Sequence, residues 1–272
     1  MKVLVEKKGA ICTIIINRPD NRNAVDRETA EQLVMAFEDF ERDDSLLAAV
    51  LWGEGGNFCA GADLKAISRN DLNEVNSLNP DMSKPGPMGP SRMKTSKPVI
   101  AAISGYAVAG GLELACWCDL RVVERDAVFG VFCRRYGVPL IDGGTQRLPR
   151  LIGISRALDM ILTGRAVSGE EAFAMGLANR LAERGKAREE AETLAARITA
   201  FPQACMRNDR RAVYRGFDLP IDEAMELEFR LGMEVIAGGE LQEGVKRFSQ
   251  GIGKHGQFYS SRQDVMQKSH AE

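Results

Sequence analysis

Histidine is almost missing from this chain: two of its 272 residues, His255 and His270, both in a polar C-terminal stretch. A Ser-His or Cys-His nucleophile, and equally a His-ligated metal, needs an imidazole in the body of the fold, so neither is expected. Proton transfers must then come from carboxylates, a thiol, a tyrosine or a lysine. Long apolar runs are missing as well, since no stretch approaches the roughly 18 residues that span a bilayer. No charge of one sign dominates: the formal net charge is −2, which gives no electrostatic case for nucleic acid or an anionic membrane as partner. The six cysteines, at 12, 59, 116, 118, 133 and 205, form no C-x-x-C pair. Most lie in apolar stretches and read as buried free thiols. Cys116-x-Cys118 is too short and isolated for a metal site.

What is present describes an ordinary globular protein, with 44% apolar and 27% charged residues. The length suits one large α/β domain, or a domain with a helical appendage. The N-terminus, MKVLVEKKGAICTIIINRP, alternates like a hairpin and has no small-residue cleavage site, so no secretory signal is expected and the cytosol is the expected compartment. Residues 2–7 and 10–16 read as strands joined at Lys8-Gly9. A helix is predicted over 27–42, with Ala30, Leu33, Val34, Phe37 and Phe40 at helical spacing and Asp26 as N-cap. The apolar runs 46–53 and 97–105 read as strands covered on both faces, followed by strands at 120–124 and 127–131.

Between the two apolar runs, residues 68–96 are rich in Pro, Gly, Ser and Asn and read as a long mobile loop. Loops of this length in compact domains are lids, substrate-binding segments or disordered. From 145 onward the pattern is helical: TQRLPRLIG leads into 154–164, Ser168-Gly-Glu-Glu171 forms a capping box ended by Gly176, and helices follow at 186–200, 203–215, 221–237 and 240–249. Strands alternating with helices give an α/β class, divided into a core domain over 1–200 and a helical region with a polar tail over 201–272.

Two small-residue segments each follow an apolar strand: GEGGNFCAGADL (53–64) and SGYAVAGGLELACWCD (104–119). Such turns leave N–H groups unpaired, and a helix starting near Gly111 aims its positive end at whatever lies there. One N–H from each segment would make an oxyanion hole. The alternative is a pair of tight turns whose glycines serve geometry alone. Glu113, inside the apolar GLELACW, is either a structural acid with its partners or a base whose pKa is raised by desolvation.

At this point the chain resembles the enoyl-CoA hydratase/isomerase (crotonase) superfamily over nearly its full length. NRPDNRNAVD (17–26), FCAGADL (58–64), KPVIAAISGYAVAGGLELACWCDLRV (97–122), GGTQRLPRLIG (143–153) and GRAVSGEEAFAMGLANRL (164–181) carry the resemblance. It implies a ββα spiral core, a C-terminal helical trimerisation region, and a homotrimer or a hexamer built as a dimer of trimers. It implies an acyl-CoA thioester substrate, with coenzyme A entering as part of that substrate and no permanently bound cofactor or metal. The N–H groups of Ala62 and Gly110 would hold the thioester oxygen, and Glu113 would act as the catalytic carboxylate. Ala24, Ala60, Asp63 and Leu64 would lie along the CoA, with Arg22 and Lys254 near its phosphates unless they are simply solvated charges.

The pattern breaks at one position. Family hydratases typically use two glutamates, and the second falls on Cys133, whose thiol is a poor acid or base at neutral pH. Asp142 is the nearest remaining acid. It either reaches the pocket or serves as a helix N-cap or a salt-bridge partner of Arg134, Arg135 or Arg147. The Arg134-Arg135 pair itself either binds a substrate carboxylate or neutralises Asp142. Three activities stay open: a hydratase-type lyase using Glu113 with Asp142, an isomerase using Glu113 alone, and a non-catalytic acyl-CoA binding protein.

Overall fold

The computed structural model describes residues 1–69 and 73–251. They fall into two compact units, the first covering Met1–Glu192 and the second starting at Thr193. In the first unit, β1 (Val3–Lys8) and β2 (Ile11–Ile16) form an antiparallel hairpin, with Lys8 opposite Ile11. Gly9, at φ +57°, supplies the left-handed residue of the turn. After a short 3₁₀ turn comes α1 (Arg27–Arg42), then β3 (Ala48–Gly53), α2 (Leu64–Arg69), β4 (Val99–Ile103) and β5 (Tyr106–Val108). The chain continues through α3 (Gly110–Trp117), β6 (Leu120–Glu124), β7 (Val128–Gly130), α4 (Gly144–Ile152) and α5 (Ile154–Thr163). It ends with β8 (Val167–Ser168), α6 (Gly169–Ala174), β9 (Arg180–Ala182) and α7 (Ala187–Thr199), whose last turns open the second unit.

Two sheets result. The larger runs β1-β2-β3-β4-β6-β9, parallel from β2 onward, and the smaller runs β5-β7-β8. The chain changes sheet between β4 and β5 at Gly105, φ +51°, where a side chain would meet the Gly56 carbonyl and the Asn57 side chain. From β4 to β7 each successive strand leaves one sheet and enters the other, and the chain returns to the large sheet at β9, which is the spiral. The core is continuous: Ile14, Leu51 and Ile103 of the large sheet join Leu33, Phe37 and Phe40 of α1, and Phe37 meets Trp117 of α3 edge-on at 4.8 Å. Arg121 is buried within the sheet and makes no ion pair with a carboxylate among the described residues. Its guanidinium donates to the carbonyls of Leu177 (2.6 Å), Cys118 (2.8 Å) and Ala115 (3.3 Å), tying the C-terminal end of α3 to the sheet.

The second unit continues with α8 (Gln203–Gly216), α9 (Ile221–Ala237) and α10 (Glu240–Ser249). Leu227 and Leu231 of α9 are buried, and Asn208 of α8 donates to the Leu231 carbonyl at 2.9 Å. No helix of the described residues is long and apolar enough to cross a membrane.

Most predicted elements are present, and three strands are added: β5, β8 and β9. Each has only two or three residues, too few to show a period, and each exists because a distant strand pairs with it. Several described residues of the 68–96 segment, expected as a mobile loop, are packed into the protein. Met88 and Ser91 are 1% exposed and Asn76 is 5% exposed. Polar anchors, rather than large apolar residues, hold this segment in place, which is why its composition suggested a loop. Five of the six cysteines are buried; Cys205 is exposed, and all are free.

Asp26 caps α1 as expected, accepting from Thr29 N at 2.9 Å while pairing with Lys2 at 2.7 Å and Arg18 at 3.1 Å. Burial works against its ionisation, yet these partners hold its carboxyl below the usual aspartate value. Asp26→Ala should lower the unfolding free energy by about 2–3 kcal/mol, from the lost cap and the charged hydrogen bonds. The denaturation midpoint at pH 7 measures it.

Candidate active site

The two small-residue turns meet backbone to backbone. Cys59 pairs with the β5 strand, its N–H donating to the Tyr106 carbonyl (2.9 Å) and its carbonyl accepting from Val108 N (3.1 Å). On the other side Val25 N donates to the Gly61 carbonyl (2.8 Å), and Asp63 N to the Val25 carbonyl (3.0 Å). These bonds pass over Ala62. Its N–H donates to no protein acceptor among the described residues, and neither does that of Gly110, the first residue of α3. Both residues line one cavity.

The approach depends on missing side chains. A Cβ at Gly111 would overlap the Cys59 carbonyl, and one at Gly61 would sit 2.9 Å from Gly110 N. Gly61 itself holds φ +95°. Ala109, just before α3, holds φ +53° and ψ −124°, a conformation that costs a non-glycine residue roughly 1–3 kcal/mol. Strain retained at such a junction marks where geometry serves something other than stability.

Glu113 lies one turn into α3 and is 2% exposed. Its Oε1 accepts from two backbone donors, Asp142 N at 2.9 Å and Gly144 N at 2.8 Å. Oε2 has no protein donor among the described residues, and Glu113 lines the same cavity as Ala62 and Gly110. Burial pushes its pKa up to about 7, the nearby Asp142 adds to the rise, and the two backbone donors only partly offset it. Such a carboxyl is half ionised near neutral pH.

Asp142 and Cys133 line this cavity of about 290 Å³ as well. Asp142 is neither an N-cap nor an ion-pair partner: Gly143 stands at the start of α4, and the Asp142 Oδ1 accepts from Met88 N at 2.9 Å and from the Ser91 hydroxyl. Burial raises its pKa. Arg147 donates to its backbone carbonyl, at 2.8 Å, and to the Ser91 carbonyl, at 2.7 Å, and its charge works against the rise in the Asp142 pKa. The Arg134-Arg135 pair does not neutralise it either. Arg134 donates to the Ile161 carbonyl, and Arg135 stacks over Phe132 at 4.5 Å. Burial also raises the Cys133 thiol, with Glu113 adding to the effect.

Of the positions expected along the CoA, Ala60 and Leu64 line the cavity. Ala24 is buried, its carbonyl taken by Arg18. The Asp63 carboxylate is engaged inside the protein: it pairs with Arg18 at 2.9 Å and accepts from Lys65 N (3.1 Å) and Ala66 N (3.2 Å) at the start of α2. Arg22 lies on the surface over the Tyr106 ring at 5.4 Å. Lys254, His255 and His270 lie outside the described residues. Sequence reasoning missed Met88, Ser91 and Asn76, which reach the site from the polar 68–96 segment. An isolated methionine in a Pro/Gly run was the only signal there.

A two-sheet spiral whose turns converge on a buried carboxyl defines the crotonase class of fold. The sequence model described as Enoyl-CoA hydratase/isomerase matches residues 6–253, and the chain belongs to that family of enzymes. It is 32% identical to enoyl-CoA hydratase EchA19 of Mycobacterium tuberculosis, covering 91% of this chain and 93% of that one. It is also 32% identical to the short-chain-enoyl-CoA hydratase of Clostridium acetobutylicum, covering 83% and 86% respectively. Among solved structures, an enoyl-CoA hydratase from Mycobacterium tuberculosis superposes with a TM-score of 0.85 at 35% identity, over 92% of this chain and 96% of that one.

The raised pKa of Glu113 has a stability consequence. The folded state holds this proton more tightly than the unfolded chain, so the associated stability is full below the ordinary glutamate value near 4.5 and is lost as pH rises through about 7. The melting temperature of the wild type should therefore fall relative to Glu113→Gln between pH 4.5 and pH 7.5. A constant difference across that window would contradict the raised pKa.

Proposed function

We propose that the protein is an enoyl-CoA hydratase-type lyase acting on an unsaturated acyl-CoA thioester, through an enolate held by Ala62 N–H and Gly110 N–H. The observation that carries this reading is Glu113: one oxygen pinned by two backbone donors, the other facing the cavity, with a pKa of about 7. Two unpaired N–H groups on the same cavity suit a thioester oxygen that becomes an enolate, and α3 adds its positive end. In this scheme water bonds through its oxygen to C3 while Glu113 takes its proton. The C2=C3 electron pair moves onto the thioester as the enolate. Protonated Asp142 then delivers a proton to C2, and both carboxyls re-equilibrate with solvent. Coenzyme A enters as the substrate's own handle, along Ala60 and Leu64, with Ala24, Asp63, Arg22 and Lys254 as the further positions assigned to it.

A second reading has its own support. The Asp142 carboxylate is partly engaged by Met88 N and Ser91, and Cys133 stands where a second glutamate was expected. Glu113 alone could then move a proton from C2 to C4 of a 3-enoyl-CoA, giving an isomerase through the same enolate.

Crotonyl-CoA and a 3-enoyl-CoA separate the two. Glu113→Gln should lower kcat about 10²–10⁴-fold on the productive substrate, and full retention would remove Glu113 as the base. Asp142→Asn should abolish hydration if Asp142 supplies the second proton, and should spare isomerisation if Glu113 works alone. For the wild type, kcat/KM should rise with pH through about 7 as Glu113 ionises; it should fall again at higher pH, as Asp142 loses its proton, if the lyase reading holds, and level off if Glu113 works alone.

We also propose that the helical region from 201 onward assembles homotrimers, or hexamers as dimers of trimers. In support, Ile221, Met225, Phe229, Met233 and Ile236 form an exposed apolar stripe along α9. Analytical ultracentrifugation should give a trimeric or hexameric mass, and Phe229→Glu should reduce it.

A further inference from the structure

Gly86, Pro87, Met88 and Gly89 make a closed four-residue turn: Gly86 N donates to the Gly89 carbonyl at 3.0 Å, and Gly89 N to the Gly86 carbonyl at 2.9 Å. Three further contacts lock it in place. Met88 N donates to Asp142 Oδ1 at 2.9 Å. Asn76 Nδ2 donates to the Pro87 carbonyl at 2.8 Å and to the Val25 carbonyl at 3.1 Å. Gly89, at φ +84°, lies against the backbone of Ala30, where a Cβ would come within 2.6 Å of the Ala30 carbonyl. The tip of this turn separates two cavities. Pro87 lines both the catalytic cavity, about 290 Å³, and a second one of about 360 Å³ on the other side. The second is bounded by Ala30, Val34 and Met35 of α1 and by Ser77, Asn79 and Pro85, and Arg27, Glu31 and Lys84 also contribute to it.

Met88 is 1% exposed and packs directly on Gly110, where a Cβ would stand 2.6 Å from its sulfur. The side chain therefore fills the space beside one of the two unpaired N–H groups and next to Asp142. An acyl chain whose thioester oxygen sits at Gly110 shares its cavity with this side chain.

Resting on the acyl-thioester reading above, we propose that Met88, held at the tip of the Gly86–Gly89 turn, is the chain-length stop of this enzyme and restricts it to short, apolar acyl groups. The catalytic cavity lies at the low end of the roughly 300–1,000 Å³ typical of ligand pockets, and the thioester and the reacting carbons must share it. Shortening the Met88 side chain would enlarge this cavity, which Met88 lines, while Pro87 still closes it off from the second one. Each further buried methylene then contributes about four-fold in binding, so the stop sets a steep boundary in chain length.

The test is a series of trans-2-enoyl-CoA substrates from four to sixteen carbons, run with Met88→Ala, with Met88→Leu and with Met88→Ala/Val34→Phe. Alongside it, Kd is measured for the saturated acyl-CoAs of the same lengths, which require no chemistry. The wild type should lose at least ten-fold in kcat/KM and in affinity between about six and ten carbons. Met88→Ala should raise the ratio of ten-carbon to four-carbon values at least ten-fold. Met88→Leu should keep the wild-type profile, and Met88→Ala/Val34→Phe should keep the gain of Met88→Ala, because Val34 lines only the second cavity. A flat wild-type profile out to sixteen carbons overturns the proposal, as does a Met88→Ala ratio equal to that of the wild type. If no substrate turns over but affinity follows the expected length profile, the lyase reading fails while the stop stands. If substrates turn over with no length dependence, the reverse holds. Should Met88→Ala fail to fold, the wild-type length series decides.

Discussion

Everything at the site depends on one close approach, that of α3's first residues to the 59–62 turn. Gly111 has no side chain, so the Cys59 carbonyl can sit where a Cβ would be. Without that contact the two turns could not lie on one cavity with both N–H groups unpaired. The contact is held from both directions. Arg121 gathers the carbonyls at the far end of α3, and Cys59 is hydrogen-bonded to both ends of β5. The helix therefore arrives with its axis fixed before any substrate is present.

Glu113 follows from the same placement. A carboxyl one turn into an otherwise apolar helix must be buried, and burial alone favours its neutral form. The glycine turn at 142–144 supplies two backbone donors to one oxygen and so keeps the ionised form accessible near neutral pH. A side chain at Gly144 would come within 2.9 Å of Glu113 Cγ, so this turn too is built of backbone. Asp142 links this arrangement to the far wall: its N–H holds Glu113, and its carboxylate holds the 86–91 segment. One residue thereby couples the Glu113 carboxyl to the 86–91 segment.

The elements legible in the sequence were those whose signal is local. The α1 helix carried both its period and its cap, and Ser168 accepts from Glu171 N at 3.1 Å, one half of the expected capping box, while the Glu171 carboxylate pairs with Arg165 instead of closing it. The strands β2, β3 and β4 carried continuous apolar runs. By contrast, β5, β8 and β9 exist only through pairing with distant strands, and the 76–91 wall is ordered by single hydrogen bonds from Val25 and Asp142. Polar anchoring leaves no periodic trace, so that part of the site looked like a loop. Gly111 was readable as a glycine, but not the Cys59 oxygen that requires it.

The sequence by itself determined the class of chemistry. With both histidines in a polar C-terminal stretch, proton transfer was left to carboxylates, a thiol, a tyrosine or a lysine, and one acid stood among apolar residues after a glycine turn. The family motifs agree with that choice. Tertiary structure alone decided what that carboxylate is worth and what surrounds it. Its ionisation near pH 7 is a balance between burial and two backbone donors brought from thirty residues away, and the cavity beside it is lined by a methionine on a turn. Both are properties of three-dimensional proximity, because desolvation and steric exclusion act across space and leave no mark in the order of residues.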